Sequence, residues 1–184
     1  MADYQPATYA AAAMHFEDPR TGALNPPIVT STVYARDANY QQREQRSYAR
    51  DQNPTGELAE AMLAQFEQGA AAMLFPSGMA AATAVFRTLL APGDHVVVPS
   101  KGYFTLRNWL RRFAAQWHVD VQFVDTSDLA AFAAALRPGQ TKLVWLESPA
   151  NPTWDITDLA AASELAHHAG AYVAVDNTTA SPVF

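Results

Sequence analysis

Tyr172-Val173-Ala174-Val175-Asp176-Asn177-Thr178 is a short apolar run that ends on a carboxylate and a turn. A run of this kind fits a parallel strand covered on both faces. The C-terminal edge of such a sheet is where open α/β folds bind ligands. A carboxylate left there without a partner costs free energy, so Asp176 is a candidate site residue, although capping of the next turn also explains it. Further apolar runs lie upstream at residues 72–75, 95–99, 119–124 and 142–146, with the last strand at 172–175. Helical spacing separates them. Leu106, Leu110, Phe113 and Trp117 form one stripe, Leu58, Met62 and Phe66 another, and Leu129, Phe132 and Leu136 follow a capping Asp128. Leu159, Ala162 and Leu165 repeat the pattern. Five strands with connecting helices predict an α/β fold with a mainly parallel, doubly wound sheet.

Composition narrows the function classes. The chain has 184 residues, of which 49% are hydrophobic and 16% charged, enough for a core of one domain. A net charge of −6 argues against nucleic acid or an anionic membrane as partner. The absence of cysteine excludes disulfides, thiolate chemistry and cysteine-based zinc sites, and the adjacent His167 and His168 face different ways on a helix, so no metal site is expected. No run reaches the roughly 18 apolar residues of a membrane span, and residues 1–20 lack the basic start of a signal peptide. A cytoplasmic protein is the expectation. Residues 1–54 carry Pro26-Pro27, polar clusters and only a possible short helix at 4–16, and read as an extended arm on a neighbouring subunit. Residues 55–184 read as part of a larger domain that continues beyond Phe184.

Three constellations carry chemistry. Ser77-Gly78-Met79 opens a helix after an apolar run, where free N–H groups and the helix dipole form an anion site, although small residues there also simply cap. Tyr48 and Arg50 lie two apart, so on an extended segment they point the same way and could grip a phosphate. Asp176 could hold a proton on a ring nitrogen, as the chemistry of pyridoxal phosphate demands. Tyr103, at a helix start, is a core aromatic or a face to stack on a flat ring. Asn151 is a turn residue in Asn151-Pro152 or an amide donor to a phenolate. No glycine-rich dinucleotide or nucleoside triphosphate loop is present.

In order, Asn25-Pro26-Pro27-Ile28, Tyr48-Ala49-Arg50 with Asn53-Pro54-Thr55, Ser77-Gly78-Met79-Ala80, Pro92-Gly93-Asp94-His95, Leu146-Glu147-Ser148-Pro149 with Asn151-Pro152, and Val175-Asp176-Asn177-Thr178 resemble the Cys/Met-metabolism family of pyridoxal phosphate enzymes. The resemblance implies the large domain of the aspartate aminotransferase-like fold. It places the cofactor phosphate on Ser77, Gly78 and Met79, with Tyr48 and Arg50 reaching the neighbour's phosphate. It gives Tyr103 the ring face and an acid/base role, Asn151 the phenolic oxygen and Asp176 the ring nitrogen. It further implies an amino-acid substrate, a homodimer or homotetramer, and transsulfuration of the cystathionine γ-synthase or γ-lyase type, with cystathionine β-lyase or methionine γ-lyase chemistry as the alternative.

The sequence departs from the family pattern in places. Ala49 stands for the usual serine, Gly102-Tyr103-Phe104-Thr105 for a more frequent Tyr-Gly-Gly-Thr, and Thr179 for an aromatic. The Schiff-base lysine of the family's Ser-x-Thr-Lys motif is absent, since Lys101 and Lys142 are the only lysines. A chain without that lysine is also compatible with a non-catalytic binding or assembly module.

Overall fold

The computed structural model describes residues 5–182, which form two compact units, 5–74 with 182 and 75–181. The first unit contains α1 (Pro6–Ala11), a 3-10 turn at Ala13–His15, isolated bridges such as Val33 with Tyr48, and α2 (Pro54–Phe66). Pro54 starts α2, where its missing N–H costs nothing, and Asn53 caps it by accepting from the N–H of Thr55 at 2.9 Å. The Asn53 amide also donates to the Val29 carbonyl at 3.2 Å, and the Val29 N–H donates to the Thr55 hydroxyl at 2.9 Å. These bonds stitch the proline-rich segment to the start of the helix. No described residue of 5–74 is buried.

One sequence expectation fails in this region. Residues 72–75 have no regular secondary structure and pair with no strand, and Met73 is 72% exposed. An apolar run becomes a strand only where a neighbour completes its ladder, and none of the described residues supplies one. Among the described residues the sheet therefore has four strands rather than five.

The second unit holds α3 (Gly78–Leu89), β1 (His95–Pro99), α4 (Phe104–Trp117), β2 (Asp120–Val124), α5 (Leu129–Ala135), β3 (Thr141–Glu147), α6 (Leu159–His168) and β4 (Tyr172–Asp176). The strands are all parallel, in the order β2-β1-β3-β4. Along β1 and β3 alternate side chains go to opposite layers. Val96, Val98, Leu143 and Trp145 join Phe86 of α3 and Leu110 and Phe113 of α4. Val97, Val144 and Leu146 join Phe132 of α5 and Ala162 and Ala166 of α6. Helices on both faces explain why the strands read as unbroken apolar runs, and give the doubly wound arrangement. Trp117, the last member of the α4 stripe, is 44% exposed and instead stacks on Phe113 with the Arg87 guanidinium over its ring. No helix among the described residues is long and apolar enough to cross a membrane.

His95 is the one buried histidine of the sheet. Its Nδ1 lies 2.9 Å from the Thr141 hydroxyl and its Nε2 3.1 Å from the Gln122 amide oxygen. The Gln122 amide oxygen can only accept, so Nε2 carries the proton of the neutral ring, and the Thr141 hydroxyl, which also accepts the Arg137 N–H, donates to Nδ1. Burial first, and the Arg137 charge second, hold the ring below its ordinary value of 6.5. The folded state therefore binds this proton more weakly than the unfolded state. The resulting stability is complete above about pH 6.5 and is lost as the pH falls towards the lowered folded value. The unfolding midpoint should drop across that window, and His95→Gln should flatten the drop.

Candidate active site

The strand order decides where a ligand can enter. From β1 the chain turns outward to β2, and from β3 it turns the other way to β4. The helix after β1 packs on one face and the helix after β3 on the other. The loops leaving β1 and β3 therefore diverge, and such a switch point opens a crevice beyond the strand ends. A cavity of about 530 Å³ lies there, within the range of small-molecule sites. Ser77, Gly78, Met79, Tyr103, Asn151 and Asp176 all line it. Six of the eight residues singled out in the sequence thus meet in one place. Tyr48 and Arg50 belong to the first unit. Their segment is a turn closed by the Asp51 and Gln52 N–H groups on the Tyr48 carbonyl, not an extended run. The turn still brings the pair together, with the Arg50 guanidinium 5.0 Å from the centre of the Tyr48 ring.

The lining has polar groups to spare. Ser77 caps α3, its Oγ accepting the Ala80 N–H at 3.1 Å, which leaves its own O–H available. The Gly78 and Met79 N–H groups have no acceptor among the described residues, and no atom lies within 4 Å of where a Gly78 Cβ would stand. This is an open helix N-terminus suited to an anion. Oδ1 of Asp176 accepts the Thr178 N–H at 3.1 Å and the Thr178 hydroxyl at 2.5 Å, while Oδ2 has no partner among the described residues. The Asn151 side-chain amide is likewise unpartnered, its backbone N–H alone being bonded. Tyr103 is 43% exposed and offers its ring to the cavity. Phe104, the neighbour that could have taken its place, is the first residue of α4 and does not line the cavity. Anion donors, a flat aromatic, an amide and a half-used carboxylate fit a phosphorylated aromatic nitrogen heterocycle.

The family's sequence profile, described as Cys/Met metabolism PLP-dependent enzyme, matches residues 7–184. The chain belongs to this family. Cystathionine gamma-synthase of Mycobacterium tuberculosis is 44% identical over 177 residues, covering 96% of this chain and 45% of that protein. L-methionine gamma-lyase of Pseudomonas deceptionensis is 38% identical over 88% of this chain and 42% of its own length. The crystal structure of cystathionine gamma synthase from Xanthomonas oryzae pv. oryzae in complex with cystathionine superimposes with a TM-score of 0.89 at 36% identity, over 96% of this chain and 45% of that one. The chain thus spans a little under half the length of these relatives, and its α/β sheet is that of their PLP-dependent fold.

Other site features went unnoticed in the sequence. Glu147 is buried, lines the cavity and sits opposite Asp176 in the β3–β4 register. Its signal was the same as that of Asp176, a carboxylate closing an apolar strand. Trp154 also lines the cavity, 63% exposed at a backbone φ of +60° that a bulky side chain rarely adopts. The turn that holds it is closed by Trp154 N–H to the Ala150 carbonyl at 2.7 Å and Ala150 N–H to the Asp155 carbonyl at 2.9 Å. Asp155 is in turn paired with Lys101 at 2.9 Å, and Lys101 with Asp125 at 2.8 Å. The Lys101 ammonium holds the Asp125 carboxyl down at about 2, with the Ser127 hydroxyl helping, and both aspartates keep Lys101 protonated well above its ordinary range. Lys142 has its ammonium 5.4 Å from the centre of the Tyr172 ring, so both lysines of the chain are engaged.

Proposed function

We propose that this chain is the cofactor-binding part of a pyridoxal phosphate enzyme of sulfur amino-acid metabolism, forming or breaking a C–S bond in the manner of a cystathionine γ-synthase or γ-lyase. The observation that carries the reading is the set of unpartnered groups around one cavity, the Gly78 and Met79 N–H groups, the Asn151 amide and Asp176 Oδ2, in a member of this family. In this reading the open turn of α3 and the Ser77 hydroxyl bind the phosphate, and Arg50 and Tyr48 of a neighbouring subunit complete its shell. Tyr103 covers one face of the ring and its hydroxyl moves a proton to or from the substrate. Asn151 donates to the phenolic oxygen, and Asp176 keeps a proton on the ring nitrogen. Pyridoxal phosphate itself supplies a sink for the electrons released beside the substrate amine.

The arm reading, residues 1–54 serving a second subunit and 55–184 the cofactor domain, is supported by the lack of any buried residue in 5–74. A segment without a core of its own gains stability by covering another surface. The active species would be a homodimer or homotetramer acting on an amino acid. An acidic, cysteine-free chain fits a cytoplasmic enzyme. Replacement is favoured over elimination because the similarity to cystathionine gamma-synthase, 44%, exceeds that to methionine gamma-lyase, 38%. The test is to supply the full-length protein with an activated homoserine ester plus cysteine, and separately with cystathionine. Thioether formation in the first is expected. Ketoacid release confined to the second would move the assignment to a lyase, and turnover of neither would overturn the reading.

A further inference from the structure

The crevice depends on two loops that leave the sheet for opposite faces, and the Lys101–Asp155 ion pair at 2.9 Å ties them at one point. Glu147, the last residue of β3, also does so through its side chain. Its Oε2 accepts the Tyr103 N–H at 2.8 Å, and its Oε1 accepts the Asn151 N–H at 2.8 Å. The residue is 5% exposed, and no cation pairs with it among the described residues. Burying a carboxylate is costly, so the two charge-assisted bonds are what keep it there. The fit extends to Gly102, which has φ +142° and where an added Cβ would stand 2.5 Å from Oε2. The loop before Tyr103 is therefore shaped around this carboxylate.

We propose that Glu147 is the positioning residue of the site, fixing the ring of Tyr103 and the amide of Asn151 in register with each other across the crevice. This rests on the reading above, in which those two groups touch the cofactor. One carboxylate oxygen serves each loop, so the clamp needs both oxygens as acceptors and the full length of the side chain. Glu147→Gln replaces one acceptor by a donor that faces an N–H. Glu147→Asp keeps the charge but is one methylene too short to span both loops. Gly102→Ala keeps the Glu147 side chain intact but crowds its carboxylate and strains the loop backbone at φ +142°.

The three variants, with Asp176→Ala for reference, would be made in the full-length protein. Each is titrated with pyridoxal phosphate, and the visible circular dichroism of the saturated protein is recorded beside kcat and KM. Glu147→Gln and Glu147→Asp should both weaken cofactor affinity about tenfold, the loss of one bond to a charged group. They should also shrink the circular dichroism per bound cofactor and lower kcat more than they raise KM. Gly102→Ala should reproduce the spectral change, which keeps the test valid where a change at Glu147 prevents folding. Wild-type affinity and dichroism in Glu147→Gln or in Gly102→Ala, or full rescue by Glu147→Asp, would overturn the clamp. If Asp176→Ala is impaired while these are not, only the clamp falls. If Asp176→Ala also binds and turns over normally, the underlying site assignment falls with it.

Discussion

Asp176→Ala in the full-length protein should fold normally and lose about a hundred- to a thousand-fold in kcat, the usual scale for deleting one preorganised charge at a reacting centre. The carboxylate closes β4, and its bonds among the described residues go only to Thr178. Removing it therefore opens no core cavity and should cost little stability. What it removes is the negative charge assigned to keep the ring nitrogen protonated. Each unit of pKa lost there is worth ~1.4 kcal/mol. Asp176→Asn is the sharper variant, because its oxygen can still accept from Thr178 while the charge is gone. Equal losses in both variants, with unchanged thermal midpoints, would assign the effect to charge. Near-normal turnover in either would refute the role given to Asp176.

Arg50→Ala should weaken cofactor affinity roughly ten- to a hundred-fold, the loss of a charge-assisted fork worth ~1.5–3 kcal/mol. Arg50 is exposed and stacks on Tyr48, so truncation disturbs no packed interior. The open helix start at Gly78 and Met79 remains to hold the phosphate, which is why affinity falls without vanishing. If the arm serves the partner's site, mixing Arg50→Ala subunits with Asp176→Ala subunits puts both lesions in one site of a mixed dimer and leaves the other intact. Activity should then recover in part. Heterodimers that form without any recovery would show that the arm serves its own subunit.

Much of the fold was legible because the physical signals were redundant. The strands at His95–Pro99 and Tyr172–Asp176 announce themselves as apolar runs between helical stripes, and Asp128 caps α5 as its position predicts. Residues 72–75 carry the same apolar signal but are not a strand, because pairing depends on a neighbour that a local pattern cannot reveal. The Tyr48–Arg50 proximity was legible and its backbone was not, since a turn closed by hydrogen bonds replaces the extended segment. At the site, Ser77, Gly78, Asn151 and Asp176 were legible as ends of elements. Glu147 carries the same strand-end signal as Asp176, but the two backbone N–H groups it holds leave no mark in the sequence. Asn151 follows it by four residues, but Tyr103 lies 44 residues upstream, and the three meet only at the switch point.

The most direct test is a crystal structure of the full-length protein with pyridoxal phosphate bound. The account predicts the phosphate on the Gly78 and Met79 N–H groups, the ring against Tyr103, and Asp176 Oδ2 within hydrogen-bond distance of the ring nitrogen. A cofactor bound elsewhere, or one whose ring nitrogen faces away from Asp176, would contradict it.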